Sequence, residues 1–221
     1  MEYIVKILKI EEVTHDVKRF RLKKPPGYHF NPGQATEVSI NKSKWIDELR
    51  PFTFTSLNEE PHLEFTIKIY KEHEGVTNQL GKLKKNDELI IRDVWGAIEY
   101  KGPGYFIAGG AGITPFIAIL RELYKTNKLD DNKLFFSNKT SNDIILKEEF
   151  TMMLGKNALY VITDEQNNSY HHGFINENFL KKHVSDFNKH FYICGPPKMV
   201  AAMTGILEKL GAAPDSVVFE K

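Results

Sequence analysis

The run Tyr105-Phe106-Ile107-Ala108-Gly109-Gly110-Ala111-Gly112-Ile113-Thr114-Pro115 passes from apolar residues into glycines and then into an amphipathic segment. The apolar residues read as a buried parallel strand. Gly109, Gly110 and Gly112 let the backbone turn sharply and approach a ligand with no Cβ between. Pro115 suits the first turn of a helix, where its missing N–H costs nothing. That helix is expected over 114–126, with Phe116, Ile119, Leu120 and Leu123 facing inward. Its unpaired N–H groups and positive dipole end then point at whatever lies over the glycines, and a pyrophosphate is the natural guest. Pro115 stands where G-x-G-x-x-G would place its third glycine, so the run departs from the usual dinucleotide fingerprint. A strand-to-helix turn without a ligand is the plainer alternative.

Three further groupings carry chemistry. Arg50-Pro51-Phe52-Thr53-Phe54-Thr55-Ser56 sets a guanidinium, aromatic rings and hydroxyls along one strand. Two-residue periodicity places Arg50, Phe52, Phe54 and Ser56 on one face, with Pro51, Thr53 and Thr55 on the other. A fork-shaped cation suits a diphosphate, a flat ring suits stacking, and a hydroxyl can bond a ring nitrogen. An edge strand with one surface arginine is the competing reading. Ile67-Lys68-Ile69-Tyr70 leads to Gly75-Val76-Thr77, where a helix start offers N–H groups and a hydroxyl to a second phosphate, or is only a cap. Tyr192-Ile193-Cys194-Gly195-Pro196-Pro197-Lys198-Met199 again sets a strand end against a glycine and a helix start. In an open parallel sheet that loop shares the carboxyl edge with Gly109 to Gly112, so both can serve one ligand. Cys194 can equally be a small buried hydrophobe.

The elements that must position these residues fall into two halves. From Tyr3 to about Glu99, short alternating runs broken by turn residues read as an antiparallel barrel or sandwich. Strands are expected at 4–10, 17–22, 35–40, 50–55, 63–70 and 88–92, with a short helix between Gly75 and Lys82. Lys101-Gly102-Pro103-Gly104 reads as a hinge. Beyond it strands (105–108, 133–136, 158–163, 190–194, 216–219) alternate with helices (114–126, 146–154, 177–183, 198–210), the pattern of a parallel sheet covered on both faces. The expected domains are therefore 1–101, an antiparallel β-barrel, and 102–221, an α/β parallel-sheet nucleotide-binding domain.

Bulk properties narrow the function. The 221 residues hold two domains of ordinary size, and 30 Lys plus Arg against 29 Asp plus Glu point to neither nucleic acid nor an anionic membrane as partner. No apolar run reaches the roughly 20 residues a membrane span needs, and no signal peptide is seen at the start, so a cytoplasmic protein is expected. Cys194 is the only cysteine, which excludes an internal disulfide and a four-thiolate iron–sulfur cluster within the chain. The eight histidines show no metal-ligand spacing, and no metal is expected.

Taken together, the motifs resemble the ferredoxin-NADP reductase superfamily, flavoproteins with a barrel domain followed by a nucleotide domain. The resemblance covers nearly the whole chain in order and spacing. It implies that Arg50 contacts flavin phosphate, Phe52 packs on the isoalloxazine, Thr53 bonds near its N5, and Pro51 and Ser56 complete the motif. Ile67, Lys68 and Tyr70 then line the cofactor groove, and Gly75, Val76 and Thr77 form the pyrophosphate turn of FAD-binding members. Gly110, Gly112, Thr114 and Pro115 resemble the nicotinamide-coenzyme loop, with Cys194, Gly195, Pro196 and Pro197 as its later partner. Leu134 to Thr140, with Asp143 to Leu146 following, is most similar to NADH-dependent cytochrome and nitrate reductases. The implied activity is transfer of electrons from NADH or NADPH through FAD to a separate acceptor, such as ferredoxin, flavodoxin, a cytochrome or a small molecule. Thr53, Thr114 and Cys194 are the residues expected nearest the reacting atoms. Alternatives are a flavin reductase that uses free flavin, or an electron-transfer subunit of a larger complex. Ser137-Asn138-Lys139 at the second strand end offers one lysine and no arginine to a 2′-phosphate, which favours NADH. Many members end on an aromatic residue over the flavin; this chain ends Val218-Phe219-Glu220-Lys221, so a more open flavin face is expected.

Overall fold

Alternating burial along each early strand builds the first half. In the computed structural model, which describes residues 1–96, 98–166, 168–212 and the backbone of 217–219, β1 (Tyr3–Thr14) buries Val5 and Ile7 and leaves Ile4 and Leu8 outside. It is followed by β2 (Val17–Lys23), β3 (Gln34–Ile40), β4 (Arg50–Thr53), β5 (His62–Lys68), the short helix α1 (Val76–Leu80) and β6 (Glu88–Gly96). These six strands form one antiparallel sheet in the order β4-β3-β6-β1-β2-β5. Just past β4 the chain bonds both ways: Phe54 N–H donates to Gln34 O at 3.1 Å and Thr55 N–H to Glu64 O at 2.8 Å. Those bonds bring the two outer strands together and close the barrel. Phe20, Phe54 and Phe65 fill its interior, and α1 adds Val76 and Leu80.

In the second half, strands β7 (Gly104–Gly109), β8 (Lys133–Asn138), β9 (Ala158–Ile162), β10 (His171–His172), β11 (His190–Cys194) and β12 (Val217–Phe219) run parallel in the order β10-β9-β8-β7-β11-β12. Between them lie α2 (Thr114–Lys125), α3 (Lys147–Leu154), α4 (Glu177–His183) and α5 (Pro197–Lys209). Successive strand residues face opposite sides. Phe106, Phe136 and Tyr192 therefore join the core under α2 and α3, while Ile107, Phe135 and Ile193 join the core under α4 and α5.

The expected two-domain fold is present, with differences that have local causes. β1 and β6 run past their expected ends at Ile10 and Arg92, because Glu11 to Thr14 go on pairing with β2 and Val94 to Gly96 with β3. The strand expected over 50–55 stops at Thr53, where Phe54 turns into the barrel. β10 has two residues, too few for periodicity to show. The expected hinge at Lys101 to Gly104 is tied down: buried Tyr192 accepts from the N–H groups of Lys101 and Gly102 at 2.9 and 3.0 Å and donates to Gly102 O at 2.6 Å. Ser216, Glu220 and Lys221, on which the last-strand and chain-end expectations partly fell, lie outside the described residues.

One buried carboxylate joins the halves. Glu64, 2% exposed on β5, accepts from Thr55 Oγ1 at 3.1 Å, Arg21 at 3.2 Å and Arg121 of α2 at 2.8 Å. Arg121 also donates to Thr55 O at 2.6 Å and to both oxygens of Glu149 on α3. Burial pushes the Glu64 pKa up, but the charge and hydrogen bonds of Arg121, with Arg19 and Arg21, more than offset this and hold it below the ordinary value. The stabilisation is therefore present above the unfolded carboxyl pKa of about 4.3 and is lost as pH falls through the lower folded value. Arg121→Ala should destabilise the protein by about 3 kcal/mol near neutral pH, as for removal of one partner of a buried pair. Urea unfolding at several pH values checks this: the deficit should shrink below about pH 4 as Glu64 protonates, and a pH-independent deficit would refute the role given to Glu64.

Candidate functional site

The carboxyl ends of the central strands β7, β8 and β11 face the barrel across a groove of about 1420 Å³. On the sheet side it is lined by Gly110, Gly112, Thr114, Ser137, Asn138 and Lys139, and by Cys194 through Pro197. Lys68 and Tyr70 line it from the barrel. The structure thus brings together most of the expected coenzyme residues with two of the expected flavin-groove residues.

The loop after β7 owes its glycines to two different constraints. Gly110 has φ +53, the left-handed region, and a Cβ there would meet nothing within 4 Å. Gly112 is required by packing: a Cβ would lie 2.3 Å from Cys194 O and 2.6 Å from Gly195 N. At Gly112 the close approach is thus to the neighbouring loop. The two loops interlock, because β7 and β11 pair in register from His190–Gly104 to Cys194–Ala108. A single 3₁₀ turn, Gly110–Ile113, precedes α2, and the Thr114 hydroxyl donates to Ala111 O at 3.0 Å. Pro115 is buried in the first turn of α2 and contributes through its ring and backbone. Cys194 is 5% exposed at the groove wall.

Lys68 is paired with Asp16 at 2.8 Å. Burial disfavours its charge, but the bond and charge of Asp16 prevail and hold its pKa above the usual lysine value. Tyr70 is exposed, whereas Ile67 is 2% exposed in the barrel core and can offer only backbone.

The remaining flavin candidates belong to the barrel and are not part of this groove's lining. Arg50 is exposed, donating to Leu49 O at 2.6 Å and lying 3.8 Å from Glu48. Pro51 is exposed and Phe52 half-buried against Phe65, with ring centroids 6.3 Å apart. Thr53 is buried on β4 opposite Ala35. Ser56 departs from its expected facing: it is fully buried and accepts from Glu64 N–H at 3.0 Å, so its oxygen serves barrel closure. The expected continuous face through Phe54 and Ser56 fails because β4 ends first. Gly75 is the N-cap of α1 with no side-chain cap bond, Val76 is 1% exposed core, and Thr77 is half-buried in the first turn.

Two groups at or beside the groove escaped the sequence reading. Asp164 and Glu165 follow β9 outside the groove's lining, and Asp164 N–H donates to Lys139 O at 2.8 Å, so the chain carrying these acids runs beside Lys139. Glu165 accepts from Ser141 N–H and Oγ, both at 2.8 Å. The rule that strand carboxyl ends bind the ligand, applied to β9 as well as β7 and β8, would have found them. His15, Asp16 and Asp143 meet across the cleft, with His15 Nε2 3.7 Å from each carboxylate. Asp143 comes from the other domain than the adjacent His15 and Asp16, so no spacing announces the group.

The groove suits a hydroxyl-rich anionic guest. α5 begins with no side-chain cap bond at its N-terminus, and Asn138, 5% exposed in the groove wall, has neither amide atom bonded among the described residues. Residues 4–100 match the family described as an oxidoreductase FAD-binding domain, and residues 106–204 the oxidoreductase NAD-binding domain. The chain is 30% identical to NADH-cytochrome b5 reductase 2 of Candida glabrata, covering 89% of this chain and 72% of that one. The chain belongs to the ferredoxin-NADP reductase superfamily. It is also 29% identical to NADH-cytochrome b5 reductase 1 of Homo sapiens, over 95% of this chain and 82% of the relative. A ferredoxin NADP+ reductase from Neisseria gonorrhoeae, solved with FAD and NADP, has the same fold at TM-score 0.87 and 20% identity, over 99% of this chain and 98% of that one. The protein is an NAD(P)H-dependent flavoprotein oxidoreductase.

The interlocked loops give a direct test. Gly112→Ala forces the Cys194 loop aside at an overpacking cost of about 1–3 kcal/mol, so coenzyme affinity should fall roughly tenfold or more. Flavin content should not change. Fluorescence titration with NAD+ alongside flavin absorbance checks both, and unaltered NAD+ affinity would show that the loops separate freely.

Proposed function

We propose that this reductase carries electrons from NADH through bound FAD to a separate carrier protein, with a small haem protein of the cytochrome class as the acceptor. The supporting observation is the groove lined from both domains, with Gly110, Gly112, Thr114 and Cys194 facing Lys68 and Tyr70. The yeast and human relatives, both NADH-cytochrome b5 reductases, favour a cytochrome.

When bound, FAD supplies the uptake of an electron pair and its release to the acceptor. The chain's own residues then bind and orient. On this reading Arg50 holds the flavin diphosphate, Pro51, Phe52 and Thr53 border the ring, and the N–H groups after Gly75 meet phosphate. On the other side the loop from Gly110 and the segment Gly195 to Pro197 hold the coenzyme diphosphate. Thr114 and Cys194 shape the nicotinamide end, which a two-domain cleft keeps in reacting distance. Ser137 and Lys139 border the adenosine end. Asp164, beside Lys139, disfavours the doubly charged 2′-phosphate of NADPH, which supports NADH as the coenzyme.

Anaerobic NADH should bleach the purified yellow protein, and reoxidation should be fastest with a cytochrome among candidate carriers. Turnover with free flavin alone would instead favour a flavin reductase. Arg50→Ala should weaken flavin binding roughly ten- to hundredfold, the loss of a charge-assisted contact. Stoichiometric flavin after gel filtration would contradict that role. Asp164→Ser should narrow the NADH over NADPH ratio of kcat/KM by about tenfold. An unchanged ratio in the variant would remove Asp164 from the reading.

A further inference from the structure

Two histidines face each other where β10 meets α4. The rings of His171 and His183 stand 4.9 Å apart between centroids at 75°. Phe179 lies 4.5 Å from His183 and 5.4 Å from His171, and buried Phe135 lies 6.4 Å from His183, so four rings form one cluster. His183 Nε2 is shielded and unbonded among the described residues. The charges that act on the pair have one sign: Lys182 on α4, and Lys133 on β8, whose Nζ donates to His183 O at 3.1 Å. β8 and β10 carry no acid. The one acid of α4, Glu177, is held by Lys181 at 2.7 Å and Lys209 at 2.6 Å. His172, next along β10, faces the other way, with Nδ1 3.1 Å from Glu165 O.

Such a cluster packs well only while both rings are neutral. Two imidazolium rings at this separation repel each other and Lys182, and a charged His183 would bury an N–H with no acceptor. Burial first, then the charge of Lys182, holds His171 below the ordinary histidine value; for His183, burial is followed by His171, Lys182 and Lys133. The packing is therefore at full strength above the unfolded imidazole pKa of about 6.5 and is lost as pH falls through the lower folded values. Little else holds these elements. β10 is two residues at the sheet edge, and α4, at seven residues, is too short to persist without packing. The link between them is part of the groove: Phe174, Ile175 and Asn176 line it. Asn176 Oδ1 caps α4 by accepting from Phe179 N–H at 2.9 Å, and Ile175 shares a core with Leu180. A displacement of α4 therefore reaches the groove through three residues of chain.

We propose that His171 and His183 form an acid-sensitive clasp between β10 and α4, whose release below neutral pH withdraws the groove wall at Phe174 to Asn176 and weakens coenzyme binding. The effect on the coenzyme rests on the coenzyme reading above, whereas the clasp itself does not.

Two measurements on the flavin-loaded full chain test the two halves. Between about pH 7.5 and about pH 5.5, amide exchange over residues 177–184, corrected for its intrinsic pH dependence, should quicken about three- to tenfold. NAD+ affinity, read by fluorescence titration, should fall by a similar factor. Glu64 stays ionised throughout that range, since its partners hold its pKa below the ordinary carboxylate value. His171→Phe keeps a ring in the cluster and removes the repulsion, so in that variant both quantities should stay level as pH falls. Wild-type exchange that is level across the range would overturn the clasp. So would a His171→Phe variant with the pH dependence of wild type, because the titrating group would then lie elsewhere, as at His15. Where His171→Phe fails to fold, NMR titration of the wild-type imidazole Cε1–H signals decides: midpoints at or above about 6.5 for both rings overturn the proposal. Faster exchange with constant NAD+ affinity overturns the link from clasp to groove. Wild-type protein that takes up no NAD+ at either pH overturns the coenzyme reading, while the exchange of α4 still decides the clasp.

Discussion

A carboxylate taken out of water on β5 constrains the whole molecule. Glu64 can remain charged only because Thr55, Arg21 and Arg121 converge on it. Buried ion pairs contribute little net stability compared with an apolar filling, yet losing one partner is expensive. Such a cluster therefore defines one arrangement of its parts. Thr55 and Glu64 are also the residues whose backbones close the barrel, through Thr55 N–H to Glu64 O at 2.8 Å. Barrel closure and domain docking are thus fixed at one point, and the groove between the domains takes its width from it.

The coenzyme edge shows the opposite economy. Backbone there is over-determined by packing, with Gly112 pressed against the Cys194 loop at a distance no Cβ tolerates. Side-chain polar groups are under-satisfied, as at Asn138. A rigid backbone carrying unmet donors and acceptors is pre-organised for a guest and loses little freedom when it binds. In the barrel, the buried hydroxyls of Thr36, Ser39, Thr55, Ser56 and Thr66 are bonded within the protein.

Much of this was legible in the sequence, for physical reasons that also mark where legibility ended. α4 and β11 lie within the residues their sequence patterns indicated, because α4 starts at the Asn176 cap and buries Leu180, while β11 is a short apolar run buried on both faces. The glycine loop and the Cys194 loop were found because strand–glycine–helix junctions have few sequence solutions. Ser56 was misplaced because alternation was carried past Thr53, where a change of hydrogen-bond partner turns the chain inward. Val76 and Ile67 were expected at the cofactor groove, but their side chains are core, so only their backbone could serve there. Glu64, Arg121 and the meeting of His15 with Asp143 were invisible, since nothing local distinguishes a charged residue that pairs across domains from one that faces solvent. Asp164 lay in plain view at a strand end, on a strand not counted as part of the edge.

Helix α2 links these two regimes. Its N-terminus enters the groove at Thr114, and Arg121, seven residues on, holds Glu64 and Glu149. Seven residues span about 10 Å of helix, with every backbone bond made inside it. Phe116, Ile119 and Leu120 pack its inner side into the core. The coenzyme loop and the domain clamp therefore belong to one stiff body and cannot move separately. Across the cleft, His15 meets Asp143 at 3.7 Å with its side chain 62% exposed, a contact of the kind that contributes about 0–1 kcal/mol. Any widening of the groove to admit a nicotinamide ring must come at that weak rim, with the Glu64 cluster as its fixed side.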